Sequence, residues 1–311
     1  MILTVTLNPS LDRTLKTRVL RHEQRVFASE SLLHPGGKGI NVSRVLTRLG
    51  TPNSILTLSG GPSGLVFESL CKEEHLNFSP LKISENIRTN LTLIQECPRR
   101  EFKINELGPR IHAHEVEKFF ILFVRLVKKY RVCVLAGNTP PGFLKSIYKK
   151  LITLAHKSDC KVVLDAEGDI MVEGIKAKPW LIKPNRHELE LLSGSKISSI
   201  DDVRSAGVVL LNKGIQNVLV SLDSGGAILM THSGAVYHAR APKVKVASSI
   251  GAGDSAVGGF LHGFGKSGNV IRGLQFAVAA GTATVTQPGT GLGSKQHILT
   301  LARQIKVHLL G

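Results

Sequence analysis

The chain has 311 residues, 42% of them apolar, and carries 40 Lys and Arg against 23 Asp and Glu, a formal charge of +17. That apolar share excludes a disordered chain, and the length suits one large α/β domain or two ordinary ones. The positive excess is spread over both halves, and aromatic residues, only 5% of the chain, do not interleave with the basic groups at 99–103, 128–131 and 149–150; a nucleic-acid platform needs that interleaving, so anionic small substrates are the better fit.

Short β-branched runs alternate with helix-length amphipathic stretches. Ile2–Leu7, Ile55–Leu58, Val132–Ala136, Lys161–Asp165, Leu181–Lys183 and Val218–Leu222 read as buried strands. Between and after them, 40–49, 64–74, 113–129, 143–157, 201–212, 255–265 and 270–286 read as helices. This alternation predicts a mostly parallel sheet covered by helices on both faces. Two pieces break it. Residues 86–107 read as a hairpin of Arg88–Gln95 and Glu101–Glu106, and residues 11–34 read as extended. Together they predict a small β appendage on a single domain spanning 1–311.

The longest apolar run, Phe119–Val124, sits between Lys118 and Arg125, far short of the roughly 18 residues of a membrane span. Met1–Leu7 lacks the basic start and cleavage site of a secretory signal. Cys71, Cys97, Cys133 and Cys160 form no C-x-x-C pair, so free thiols are expected. A soluble, cytoplasmic protein with no membrane contact is the expectation.

The glycine clusters carry the chemistry. In His34–Arg44, three glycines (Gly36, Gly37, Gly39) allow close backbone approach to a ligand, and Lys38 and Asn41 can bond its polar groups. Asp12 and Asp165 each follow an apolar strand, at the end where open parallel sheets place their ligands, although an Asp there also serves as a turn residue. Asn185 and Glu188 share one helical face. They can hold Mg²⁺ through water, or form a capping box, which the spacing favours. Gly251-Ala-Gly-Asp254 opens a helical run. The amides of Gly251, Ala252 and Gly253 would form an anion hole at its N-terminus. Asp254 is open to two readings, a helix cap or a base that takes a proton from an attacking hydroxyl. The chain has neither a P-loop nor a G-x-G-x-x-G fingerprint. Ser221–Gly226 and Gln287–Ser294 are each compatible with a nucleotide loop or an ordinary turn.

Taken in order, Thr6–Asp12, Pro35–Val42, Arg88-Thr-Asn90, Val162–Asp165, Ile182–Glu188, Gly251–Asp254 and Ala279–Thr284 resemble the ribokinase/PfkB family of carbohydrate kinases over essentially the whole chain. The Leu7-Asn-Pro-Ser-Leu-Asp12 start, Arg88-x-Asn90 and Lys103–Pro109 resemble its hexose-phosphate branch, which includes 1-phosphofructokinases, tagatose-6-phosphate kinases and PfkB-type 6-phosphofructokinases. Lys38 tips the expected substrate towards fructose 1-phosphate. The resemblance implies a three-layer α/β/α fold with a small β-sheet lid, formed by about 11–34 and 86–107, that often mediates dimers. It implies Asp254 as general base, with Asp12, Gly37, Lys38, Asn41, Arg88, Asn90 and Asn138 gripping the sugar phosphate. Lys183, Asn185, Ser221, Asp223, Gly226, Ser249 and Ala280, with Gly251 and Gly253, would line the ATP site, and Glu188 with Asn185 would organise Mg²⁺. Three departures stand out. Before the Gly36–Gly39 cluster the fructose 1-phosphate branch commonly has Asn-Arg where this chain has Val26-Phe27, and Arg25, one step earlier, stands where the 6-phosphofructokinase type has a basic residue. The family's usual Ser-Gly-Ser is here Ala136-Gly-Asn138, and its Ser-Leu-Gly is Ser221-Leu-Asp223, which places an acid beside the expected nucleotide.

Overall fold

The computed structural model describes residues 1–310. The strands, in chain order, are β1 (Ile2–Thr6), β2 (Ser10–Thr17), β3 (Glu30–Gly36), β4 (Asn53–Gly60), β5 (Phe78–Ile83), β6 (Arg88–Gln95), β7 (Arg100–Asn105), β8 (Val132–Ala136), β9 (Lys161–Asp165), β10 (Leu181–Ile182), β11 (Asn217–Ser221), β12 (Ala227–Thr231), β13 (Val236–Ala239) and β14 (Val307–Leu309). The helices are α1 (Lys38–Arg48), α2 (Gly61–Glu73), α3 (Ala113–Val127), α4 (Ile147–His156), α5 (Gly168–Ile175), α6 (Arg186–Ser193), α7 (Ile200–Asn212), α8 (Ala252–Ser267), α9 (Val270–Val285) and α10 (Lys295–Gln304).

One sheet has ten strands in the order β14-β13-β12-β11-β10-β9-β8-β1-β4-β5. From β5 to β11 every pairing is parallel; β11 to β14 continue antiparallel. Alternating side chains feed two separate cores. Leu3, Val5, Cys133, Leu135, Val162 and Leu164 join one cluster with helices α2 to α7. Ile2, Val132, Val134, Ala136 and Val163 join the other, with α1, α8, α9 and α10. This two-sided burial is why the central strands read as continuous apolar runs. α8 and α9 pack so closely that a Cβ on Gly259 would lie 2.2 Å from the Phe276 carbonyl oxygen.

The second sheet has four strands in the order β3-β2-β6-β7. It is mixed, because β2 runs parallel to β6 while β3 and β7 pair antiparallel. Its register sets Ser10 opposite Arg88 and Asp12 opposite Asn90. The strands are placed differently from the predicted appendage of 11–34 and 86–107. β2 starts at Ser10, where pairing with Arg88 begins, and β3 starts at Glu30, because 19–29 pair with no strand beyond isolated bonds such as that from the Ser29 amide to Lys16. α4 likewise begins at Ile147 rather than Phe143, after a turn closed by the Ile147 amide on the Leu144 carbonyl. All four cysteines are free, and only Cys97 is exposed. No described helix is long and apolar enough to cross a membrane.

Candidate active site

The predicted site residues come from distant segments, and most converge at the C-terminal ends of β1, β8, β9 and β10. α8 starts there. Gly251, its N-cap, has φ 74°, a left-handed conformation that glycine adopts without a Cβ penalty. The turn is tight enough that a Cβ there would meet Leu292 at 2.9 Å. The Ser255 amide bonds back to the Gly251 carbonyl at 2.8 Å, which leaves the amides of Gly253 and Asp254 among the unpaired N–H groups of the first turn. The Ala252 amide is partly engaged, at 3.4 Å from the Ser249 carbonyl.

Asp254 lies in that first turn and is 7% exposed. No side-chain hydrogen bond caps the α8 N-terminus, and Asp254 does not serve there as a cap. Its Oδ2 instead accepts a 2.8 Å hydrogen bond from Asn41 Nδ2. Burial, reinforced by the Asp165 carboxylate, raises its pKa from 3.8 to about 6, against the pull of Lys38, Asn41 and Lys183. A carboxylate poised near neutral pH is matched to proton transfer.

Asp165, at the end of β9, is 1% exposed. Lys38 Nζ and Lys183 Nζ lie 3.6 and 3.5 Å from its Oδ1, yet neither of its oxygens has a hydrogen-bond donor. Lys38 also donates to Glu167 at 2.6 Å. Burial alone would lower its pKa, but Asp165, Asp254 and Glu167 together raise it, so it stays charged. Lys183 leans over the start of α8, with Nζ 3.2 Å from where a Gly253 Cβ would sit. Amides, helix dipole and ammonium thus face one spot, a ready anion site.

The small sheet carries the predicted sugar-side residues. Asp12 Oδ1 accepts from Ser10 at 2.7 Å and from Asn90 Nδ2 at 2.9 Å. Its carboxylate fills the space over Gly36, where a Cβ would be 2.2 Å from Cγ. Arg88 is clamped by the carbonyls of Asn8 and Glu106, each at 3.2 Å, and borders an open cleft of about 650 Å³ lined also by Ser84 and Asn105. Gly37 is the N-cap of α1, with φ 114°. Asn138 is exposed, next to Gly137, which approaches the Lys38 side chain.

Buried polar atoms without partners mark the same region. Among the described residues these are Thr6 Oγ1, Asn8 Oδ1, Thr14 Oγ1, Arg88 Nε, Asn90 Oδ1, both Asp165 oxygens, Thr290 Oγ1 and His262 Nε2. All but His262 belong to β1 and the turn after it, the end of β9, the small sheet or the 289–290 loop; that loop passes close to the small sheet, since a Cβ on Gly289 would lie 2.8 Å from Thr14 Oγ1. Buried polar groups are rarely left unpaired unless a ligand or water completes them.

On the nucleotide side the expectations divide. The capping box at α6 is formed: Asn185 Oδ1 accepts from the Glu188 amide and Glu188 Oε2 from the Asn185 amide, both at 2.8 Å. The amide oxygen of Asn185 is therefore spent on the helix, which leaves Glu188 as the metal candidate of the pair. Burial raises the Glu188 pKa, against the Asn185 amide and Lys183. Ser221 bridges to Asn185 across the sheet edge. Asp223 is exposed in a tight turn with φ 49°, so its charge faces solvent. Gly226 is buried against the Ala239 carbonyl, and its place is set by packing. Ser249 is exposed. Ala280 corrects the expectation: it has no exposed surface and packs against Gly259 between α8 and α9, so it offers nothing to a ligand.

The donor-free carboxylate of Asp165 and the half-buried Glu188 fit a magnesium ion carried mainly by phosphates, since no described cluster of three or more His, Cys, Asp or Glu forms a full cage and Mg²⁺ commonly keeps waters and few protein ligands. Asp165 stands out in the sequence but has no role assigned there. The signal was its position at a strand's C-terminal end.

An anion hole, a buried carboxylate of raised pKa and flanking lysines at the edge of a parallel sheet define a phosphotransferase-type site. Residues 6–297 match the model of the pfkB family carbohydrate kinases; the chain belongs to that family, and ATP is the co-substrate that membership implies. It is 34% identical over 307 residues to a 1-phosphofructokinase of Bacillus subtilis (strain 168), covering 99% of both chains. It is 32% identical over 309 residues to a 1-phosphofructokinase of Vibrio cholerae, covering 99% of this chain and 97% of that one. Its fold is similar to that of phosphofructokinase-2 from Escherichia coli in complex with substrates and products, with a TM-score of 0.91 at 28% identity over 97% and 98% of the two chains.

Proposed function

We propose that this protein is a 1-phosphofructokinase, which transfers the γ-phosphoryl group of ATP to fructose 1-phosphate and yields fructose 1,6-bisphosphate and ADP. The observation that carries the chemistry is Asp254: buried, held on one oxygen by Asn41, at the mouth of an amide-lined helix terminus. The substrate rests on full-length similarity to two proteins named for that activity.

In this reading Asp254 accepts the proton of the sugar's C6 hydroxyl as its oxygen bonds to the γ-phosphorus and the bond to the β-phosphate oxygen breaks. The amides of Gly253 and Asp254, with Lys183, offset the charge that develops on the transferred group. Asp165 and Glu188 would hold Mg²⁺ through water, and the ion, when bound, neutralises phosphate oxygens. Asp12 and Asn90, locked together, present hydroxyl-binding groups to the sugar. Arg88 and Lys38 supply positive charge for its phosphate, with Gly37 and Asn138 at the rim. Ser221 and Ser249 lie towards the nucleotide.

We read the chain as one kinase domain whose small sheet closes as a lid and excludes water during transfer. The outer face of that sheet carries Phe102 and Ile104, which are exposed, and Leu91 and Leu93 in register with them. An apolar face of this kind suits a second copy of the chain, so we assign a homodimer through the lid. A cytosolic location follows from the substrates.

The test is an ADP-release assay over fructose 1-phosphate, fructose 6-phosphate, tagatose 6-phosphate, fructose and ribose. The highest kcat/KM is expected for fructose 1-phosphate, and preference for either 6-phosphate contradicts the assignment.

A further inference from the structure

Behind Asp254 runs a chain of buried polar groups that phosphoryl transfer does not itself use. Arg44, on α1, is 1% exposed. Its guanidinium forks onto Glu74, with Nε donating to Oε2 at 2.7 Å and NH2 to Oε1 at 2.6 Å. The third nitrogen, NH1, donates to Asn41 Oδ1 at 3.2 Å, one helical turn back. Asn41 then donates from Nδ2 to Asp254 at 2.8 Å.

An amide has one accepting end and one donating end, and its neighbours decide which way round it sits. An arginine can only donate, so it fixes Oδ1 on its own side. The donating end must then face the carboxylate. We propose that Arg44 is a positioning residue that holds the Asn41 amide the right way round and thereby aims Asp254. This rests on the reading of Asp254 as the base.

The energetics favour a positional role. Replacing a buried ion pair with apolar groups of similar volume is often neutral or stabilising, so the Arg44–Glu74 pair is not explained by stability alone. Its fork is rigid where a lysine would be mobile. His34 Nδ1 approaches Arg44 NH2 at 3.4 Å, and Arg48 lies 3.8 Å from Glu74; both hold the pair in place. Without Arg44 the amide is free to turn over. Its oxygen would then oppose the carboxylate and push it out of line.

The experiment compares steady-state kinetics of Asn41→Ala, Arg44→Met/Glu74→Gln and the triple variant, each checked for folding by circular dichroism. The double change removes both charges of the fork at once, so neither member is left as an uncompensated charge, and Arg48, which loses Glu74, is part-exposed and keeps its bond to the Leu292 carbonyl. It is expected to lower kcat about 10–10²-fold, the cost of a slightly misplaced reacting group, with the KM for ATP unchanged. The triple variant is expected to lose no more than Asn41→Ala alone, because Arg44 acts only through Asn41. A kcat within twofold of wild type for Arg44→Met/Glu74→Gln, or multiplicative losses in the triple variant, would overturn the proposal. If the double variant does not fold, Arg44→Lys keeps a charge for Glu74 but lacks the nitrogen that reaches Asn41, and carries the same expectation. Asp254→Asn separates the two levels: sustained turnover there refutes the base itself, whereas its loss together with multiplicative losses refutes only the positioning.

Discussion

At the scale of single residues, the Asp254 carboxyl makes a pH signature. Its pKa is raised to about 6 by burial and then by Asp165, so protonation on acidification removes the base. The kcat/KM for the sugar phosphate should fall about tenfold per unit below that value. Substrate phosphates also titrate near pH 6. Asp165→Asn tells them apart: it removes a like charge and should move the acid limb down, and a limb that stays put belongs to the substrate. The same shift makes ionised Asp254 a cost to folding. The native state binds the extra proton between the ordinary value and about 6, so this contribution is lost as pH rises through that window. Arg88 gives a second prediction. Among the described residues its hydrogen bonds go to two backbone carbonyls, Asp12 and Glu106 attract its charge, and Nε has no partner. Arg88→Ala should raise the KM for fructose 1-phosphate more than it lowers kcat; an unchanged KM would move the phosphate site elsewhere.

Elements fix how these residues meet. α1 brings Lys38, Asn41 and Arg44 to one end of the sheet, and Glu74 is the C-cap of α2. Burial would raise the Glu74 pKa, but His34 and Arg44 hold it at about 2. A depressed carboxyl stabilises the fold above its ordinary value of 4.5 and loses that contribution as pH falls towards 2. Glu74→Gln should therefore cost about 3 kcal/mol at pH 7 in urea melts, the usual penalty for breaking a buried pair. The gap from wild type should narrow at pH 3.5, and a constant gap would exclude the ion pair as its source. The elements also show what the chain discloses by itself. β6, β8 and β9 match their predicted bounds, because unbroken apolar or period-2 runs specify a strand locally. β5, β13 and β14 carry weaker signals, being edge-ward strands that are short or interrupted by polar and proline residues; β12 also escapes the sequence reading, although its Ala-Ile-Leu-Met run is apolar and buried inside the sheet. α10 was also missed, although Ser294 caps it by accepting the His297 amide.

For the whole molecule, the residues legible in sequence were those whose chemistry is written beside them. The glycines before Asp254 and around Lys38 mark a helix terminus and a close approach. Asp165 and the Arg44–Glu74 fork were not readable in this way, because their partners lie far away in the chain: Glu74 is 30 residues from Arg44. Assembly yields a further prediction. In the proposed lid-to-lid dimer, Phe102→Asp with Ile104→Asp, both exposed on the outer face of the small sheet, should give a monomer in sedimentation at micromolar concentration where the wild type sediments as a dimer; an equal mass for both would place any interface elsewhere. The central claim is that a buried carboxylate at the start of α8 takes the proton of the attacking hydroxyl. The most direct measurement is the turnover of Asp254→Asn with ATP and fructose 1-phosphate, alongside its thermal melt at pH 8. A protein at least as stable as wild type with kcat lowered about 10²–10⁴-fold is expected; a folded variant that turns over within tenfold of wild type would refute Asp254 as the base.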